Sequence, residues 1–594
     1  MSAAASSRRS VLVRRYAPVL GVVALAALLV AVVPSASSPR TSTPGRAAVT
    51  PALQPGSAGR TVSGRRCAPG VRQVAWSHYA PICVPAWSGH NGGSTSPGVT
   101  ARTVTVTWRL YPASGQASLG SLVPSADLGT PAEQLATARA FVTTFNRTFE
   151  LYGRHVVLVP YTGRGDPVAE LTGQGQAAAA TDAATARRLG AFADSSAWAS
   201  TPAYEQALAA EHVVGLSLYP VPDDVLAAAA PFAYSTAPVC SKTAAATAAL
   251  VGRSLARTPV AFGAVASDGQ TRVFGLVEAG STDQQACAAG IASALERQDG
   301  VTPAITVRVG DDPASLGSQV DRAVAQLQAA GVTTVLCSTC DAVVAPALTR
   351  EATMDHYRPE WVQADGPDAL GALLDPLQAP RSLSLGVPAA PITRGEVHQA
   401  FVLGHPGRSQ PAPDAAQLYE PLLLLFDALQ QAGPDLTPAT FARGLESLPA
   451  SVPGGVFGGW AFAAGTHDPS ADAAVLQWQR LTPSPGSGQP GTWTACNGGT
   501  LYPYSGAPPQ LPAGAQVLCG GSVSTTAASL GRAGWGPPAV TVACVVAGRS
   551  GSPCSSALAS TASGSSAPSS SAPGSSAPSS KARSLRRERT STTA

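Results

Sequence analysis

Ten cysteines, eight histidines and a few paired acids are the residues of this 594-residue chain whose types and spacing could do chemistry. Cys337-Ser-Thr-Cys340 has the spacing of a dithiol redox motif. Yet it follows the apolar run Thr333–Leu336, lacks a flanking Trp and has no companion CxxC to complete a zinc site. A structural bridge is the favoured reading, with a thiol oxidoreductase as the lesser alternative. The cysteines fall into sequence-local couples: Cys67/Cys83, Cys240/Cys287, Cys337/Cys340, Cys496/Cys519 and Cys544/Cys554. An even count suits disulfides formed outside the cytoplasm, and nearest-neighbour pairing is one of many connectivities that ten cysteines allow. No two histidines stand four apart on a helix, and Asp223-Asp224 and Asp311-Asp312 sit where helix capping accounts for them. Gly173-Gln-Gly-Gln-Ala-Ala178 mimics a dinucleotide fingerprint, but no strand leads directly into it and no acid follows at the required distance. There is no G-x-S-x-G elbow, H-E-x-x-H pair or phosphate-binding Gly-Lys-Ser/Thr loop. The residues suggest no catalytic, metal or cofactor site, so the chain reads as a binder and not an enzyme.

The charge is segregated. Met1–Arg66 carries nine Arg and no acid, Lys581–Arg589 is basic again, and the net charge is only +4, so the body between them is mildly acidic. Basic ends on an acidic body do not make a nucleic-acid-binding face. Arg8, Arg9, Arg14 and Arg15 precede the unbroken apolar run Ala17–Val33. This is the pattern of a signal peptide (residues 1–36) or of an uncleaved membrane anchor with its basic end inside. Ser7-Arg-Arg-Ser-Val-Leu12 also resembles a twin-arginine signal, and no Cys follows the run until Cys67, which argues against lipid anchoring. The expected location is the outer face of the cell envelope, secreted or anchored.

The elements that would position a binding site begin after a Pro/Ser/Thr/Gly-rich tether, residues 37–66, and a small Cys-containing cap, residues 67–100. From Ala101 the pattern alternates strands with helices. The expected strands are Val104–Leu110, His155–Tyr161, His212–Ser217, Arg272–Glu278, Ile305–Val309, Thr333–Leu336, Glu360–Gln363, Ser382–Gly386 and Ala473–Gln479. Between them lie the helices Thr130–Leu151, Gln174–Ala191, Pro202–Glu211, Lys242–Ala256, Asp283–Arg297, Ala314–Ala330, Val343–Met354 and Ala415–Ala432. Thr130, Pro131 and Glu133 make a capping box at the start of the first. Alternation of this kind implies parallel sheets covered by helices, and its two runs imply two similar α/β lobes over residues 101–482. Residues 483–521 form a Cys-closed extension, and residues 522–594 a disordered Ser/Ala/Pro tail.

Several segments, in order, resemble the substrate-binding proteins of branched-chain-amino-acid-type ABC transporters, a type I periplasmic binding fold, in particular actinobacterial members. They are Asn91–Thr100 with the strand after it, Phe145-Asn146 followed by Gly153–Val159, Asp166-Pro167, Tyr357–Trp361, Tyr419–Gly433 and Val475–Trp478. The resemblance spans roughly Asn91–Gln479. It implies two Rossmann-like lobes joined by crossing strands, with lobe I at residues 101–237 and 383–451 and lobe II at residues 238–382 and 453–480. A small polar ligand such as an amino acid would bind between the lobes and be presented to an ABC permease, with no cofactor.

The family's ligand contacts map onto Ser195 and Ser196 for a ligand carboxylate, Tyr219, Thr282 and Thr339 for the loops around it, and Asp365 for an ammonium group. Tyr219, Thr282 and Thr339 depart from the residue types the family uses there. The alternative function is a membrane-anchored ligand sensor or structural module of the same fold.

Overall fold

Val104, Val106 and Trp108 alternate along Thr103–Leu110 and turn one face of that strand into the core of the first lobe. In the computed structural model this strand belongs to a five-stranded, wholly parallel sheet. Across the sheet the order is His155–Thr162, Thr103–Leu110, Ala193–Asp194, Val214–Ser217 and Ala233–Ser235. The structure describes residues 48–122, 127–263, 269–310, 312–364, 368–408, 410–505 and 511–519. The apolar run Ala17–Val33, Asp365, Cys544, Cys554 and the Ser/Ala/Pro tail lie outside them.

The second sheet repeats the plan. Ile305–Val309, Phe274–Ala279, Thr334–Cys337, Glu360–Gln363 and Ser382–Gly386 run parallel in that spatial order. Asp472–Pro483 and then Pro490–Ala495 continue the sheet antiparallel, and Leu501–Pro503 also pairs with Asp472–Pro483. In both sheets the first strand in sequence sits between the second and the third. Strand order reverses there, and such a crevice is where open α/β sheets bind ligands.

Helix Pro131–Thr148 carries the expected box: Glu133 N donates to Thr130 Oγ1 (3.3 Å) and Thr130 N to Glu133 Oε2 (2.9 Å). Phe141, Phe145 and Phe149 pack from it onto Tyr419 and Phe426 of helix Ala415–Ala432, an aromatic cluster at the centre of the first core. In the second lobe helix Cys240–Arg253 lies beside helix Thr282–Asp299, clipped by Cys240–Cys287. Cys67–Cys83, Cys337–Cys340 and Cys496–Cys519 are closed as well.

Some boundaries differ from the expected ones. Ser382–Gly386 is a strand of the second sheet, so the chain returns to the first lobe after Gly386 and not at Leu383. Trp460 and Phe457 pack in the first core although residues 453–480 were expected in the second lobe; their ring contacts with Tyr79 of the cap hold them there. The tether expected over residues 37–66 is hydrogen-bonded to the cap from Thr50 onward: Thr50 N donates to His90 O (2.8 Å), Gly56 N donates to Cys83 O (2.7 Å), and Gly59–Arg60 pairs with Arg66–Cys67. The extension after residue 483 supplies two strands of the second sheet and is part of that lobe.

Candidate ligand-binding site

At the switch point of the first lobe, the loop after Ala193–Asp194 runs through Ser195, Ser196, Ala197 and Trp198, all buried. Ser195 N donates to Thr107 O (3.2 Å), which extends the ladder by one bond, while its hydroxyl has no partner. Ser196 is committed differently. Its Oγ accepts from Arg109 N (2.6 Å) and donates to Asp194 Oδ1. Ala197 has φ +49°, a left-handed conformation that costs a residue with a Cβ about 1–2 kcal/mol. Bonds on either side hold the loop in it. Trp198 O accepts from Tyr219 OH (3.1 Å), and Trp198 Nε1 donates to Asp414 Oδ2 (2.9 Å).

Beneath the loop lies an ionic network. Arg109, wholly buried, donates Nε to Asp182 Oδ2 (2.9 Å), Nη1 to Glu170 Oε2 (3.1 Å) and to Ala199 O (3.0 Å), and Nη2 to Glu170 Oε1. Its guanidinium also lies over the ring of Tyr204, 4.2 Å from the centroid. Burial works against its charge, but the bonds and field of Glu170 outweigh it and keep the cation. Asp194 is pushed up to about 6 by burial, although bonds from Ser196, Thr107 and Tyr204 pull the other way. Burial pushes Asp414 up to about 6 as well. These groups make a rigid support whose polar atoms are mostly spent on one another.

At the switch point of the second lobe, the loop after Thr334–Cys337 is closed by Cys337–Cys340, both cysteines buried. Ser338 and Thr339 lie inside that small ring, and neither hydroxyl has a hydrogen-bond partner. Asp341 Oδ1 then caps the next helix by accepting from Val343 N and Val344 N (both 2.8 Å). Ala342 and Val343 of this turn, with Leu370, pack against the first lobe's core, so the lobes touch beside the cleft.

The residues expected at the site are thus divided. Ser195, Ser196 and Tyr219 gather on one loop system of the first lobe, and Thr339 stands at the equivalent position of the second. Thr282 is exposed on the first turn of its helix, where Ser281 and Gln284 form the capping box. Asp365 lies outside the described residues. The sequence reading did not single out Arg109, Asp194, Trp198, Ser338, Gln363 or Thr247. A charged residue inside an apolar strand was the available signal for Arg109; the others carried none.

No protein of curated function matches the chain. Solved structures similar to it include a fatty acid ABC transporter substrate-binding protein from Thermomonospora curvata, at 14% identity and TM-score 0.45, covering 69% of this chain and 95% of the other. Another is a leucine-, isoleucine-, valine-, threonine- and alanine-binding protein from Brucella ovis in its closed conformation, at 14% identity and TM-score 0.48, covering 68% and 96%. A third, from Desulfitobacterium hafniense in complex with Leu, stands at 17% identity and TM-score 0.41, covering 63% and 97%. The family described as periplasmic binding protein matches residues 124–487, which take in both switch-point loops and the crossings between the sheets, and the chain therefore belongs to the periplasmic binding protein family.

Proposed function

We propose that the chain is an exported solute-binding protein that captures a small polar ligand, such as an amino acid, between its lobes and presents it to an ABC permease. The observation that carries this reading is the pair of equivalent loops at the two switch points, each holding a buried hydroxyl with no partner, Ser195 in one lobe and Thr339 in the other. Such hydroxyls are costly unless something else completes them, and a polar ligand does so. Ser195 offers a donor to an anionic group, Tyr219 closes the first-lobe loop, and Asp365, two residues past Glu360–Gln363 in sequence, would supply a carboxylate to an amine. Thr282, exposed on its helix, has the weakest claim. Function outside the cytoplasm follows from the family and suits the four closed disulfides.

A thermal-shift screen of the full chain against amino acids, polyols and fatty acids tests the reading. A ligand at 100 times its Kd adds about 2.7 kcal/mol to native-state stability. Absence of any stabilising solute would defeat solute capture. With a ligand in hand, Asp365→Ala should weaken binding at least tenfold. Loss of uptake of that solute in a deletion strain would select transport over the sensor alternative.

A further inference from the structure

Polar side chains in the interior of a protein find partners almost without exception, and each one that does not calls for an explanation. Three such residues meet at one place in the second lobe. Gln363, the last residue of Glu360–Gln363, is 3% exposed, and neither its Oε1 nor its Nε2 has a partner. Ser338 Oγ, one residue beyond Thr334–Cys337, and Thr247 Oγ1, inside helix Cys240–Arg253, are also buried without one. Thr247 is conspicuous among helical threonines. Thr143, Thr148, Thr181, Thr185 and Thr349 each donate back to the carbonyl four residues earlier, and Thr247 does not.

The three line one small cavity together with Pro238, Leu385 and Tyr504. Its free volume is about 10 Å³, room for one water-sized group. None of the residues lining it is charged. Pro238 lies on the first crossing between the lobes, between Ala233–Ser235 and helix Cys240–Arg253, and Ser338 and Gln363 stand at the carboxyl ends of their strands, the end at which open α/β sheets bind ligands.

We propose that Gln363, Ser338 and Thr247 form a neutral subsite of the ligand cleft that receives one water-sized polar end of the solute, a hydroxyl or the O or N atom of a carboxamide. This rests on the solute-capture reading above. The amide of Gln363 offers one acceptor and two donors, and each hydroxyl can donate or accept, so together they satisfy a group that both donates and accepts, as a carboxamide or a hydroxyl does, whereas a charged group would be buried there with no counter-charge among the lining residues. An apolar group placed there leaves all four atoms unpaired. Sites built in this way reject the analogue lacking the polar group by large factors.

The test uses the full chain and paired polar and apolar probes: asparagine and glutamine against leucine, and erythritol against octanoate, titrated by calorimetry. The expected result is that a carboxamide or polyol probe binds on the order of 100-fold more tightly than its apolar counterpart. Gln363→Leu and Thr247→Val should then remove most of that preference while Tm stays level or rises, since each replaces a buried, unpaired polar group. If leucine or octanoate binds as well as the polar probes and Gln363→Leu leaves affinity unchanged, the subsite is wrong and solute capture stands. If no probe binds at millimolar concentration, the subsite falls, and solute capture is decided by the wider screen. Should Gln363→Leu fail to fold, Thr247→Val decides: unchanged affinity for asparagine, glutamine and erythritol overturns the proposal.

Discussion

The two lobes share a strand order and a site at the same topological point, yet they treat their polar groups in opposite ways. In the first lobe the buried cation stands at the site end: Arg109 is next to last in Thr103–Leu110 and ties Glu170 and Asp182 directly beneath the Ser195 loop. In the second lobe the buried ion pair lies at the far end, and the pair at the site end, Arg308 with Glu278, has its cation exposed. Arg272 and Glu360 meet before Phe274–Ala279 and at the first residue of Glu360–Gln363, with Nε to Oε2 at 2.7 Å and Nη2 to Oε1 at 3.0 Å. Glu360 also accepts from Ala261 N, Phe262 N and Thr334 Oγ1. In the loop after Thr334–Cys337 and at the end of Glu360–Gln363 the second lobe keeps neutral hydroxyls and an amide, and leaves them unpaired. Ser195 apart, the first wall is tied into its own network, whereas Ser338, Thr339 and Gln363 of the second have no hydrogen-bond partner within the protein.

Breaking each ion pair gives the widest separation between the lobes. Arg109→Met strands Glu170 and Asp182 without their cation, and Arg272→Met strands Glu360. Each should cost about 3–5 kcal/mol, read from denaturant unfolding. The difference lies in binding. Affinity for the solute found in the screen should fall in Arg109→Met and stay within about twofold of the parent in Arg272→Met, because only the first network supports a site loop. Equal loss of affinity in both variants would erase the distinction.

The pH dependence of stability sharpens the same contrast. Asp194 and Asp414, both beside the first-lobe loop, have folded-state values raised to about 6 by burial, well above 3.8. A raised carboxyl binds its proton more tightly when folded, so stability falls as pH rises from about 4 through about 6 and returns as pH is lowered. Burial likewise raises Glu205 and Asp427, and a bond to Glu396 raises His78, all acting in the same direction. Glu360 of the second lobe is held below its ordinary value: burial raises it, but Arg272 and its other donors outweigh that, so its contribution is lost only in more acid solution. Going from pH 7.5 to 5.5 should therefore raise stability by at least about 2 kcal/mol, about 1 kcal/mol from each of Asp194 and Asp414 with Glu205, Asp427 and His78 adding to it. A flat profile would show that these carboxyls are not buried as described.

Much of this architecture was legible because helix caps and long periodic elements are local. The Thr130–Glu133 box, helix Ala415–Ala432 and strands Ile305–Val309, Glu360–Gln363 and Ser382–Gly386 appear where the sequence placed them. Ala193–Asp194 and Ala233–Ser235 escaped notice because two or three residues carry no alternation; they are strands only because neighbours pair with them. Helix Ala113–Leu122, rich in Ser and Gly, has no apolar stripe to read. At the site the Ser195-Ser196 loop was located from resemblance, but the division between its two hydroxyls depends on where Arg109 and Asp194 come to lie. A Gln ending a strand and a Thr inside a helix, as at Gln363 and Thr247, become informative only through the partners they lack.

The smallest effect tests that division. Ser196 holds two buried groups, so Ser196→Ala removes the acceptor of Arg109 N and a donor of Asp194. It should cost about 1–2 kcal/mol and shift the acid-side midpoint upward, since the Ser196 bond opposes the rise in Asp194. Ser195 holds nothing but its backbone bond to Thr107. Removing its hydroxyl takes away a buried, unpaired group, so Ser195→Ala should leave stability level or slightly higher and the pH profile in place. Its effect should appear only in binding, as weaker affinity for the solute the screen identifies. The two serines are neighbours in sequence and almost equally buried, so a difference in stability between their alanine variants isolates what their partners do. If Ser195→Ala destabilises as much as Ser196→Ala, the Ser195 hydroxyl has a partner within the protein and is not held in reserve for a ligand.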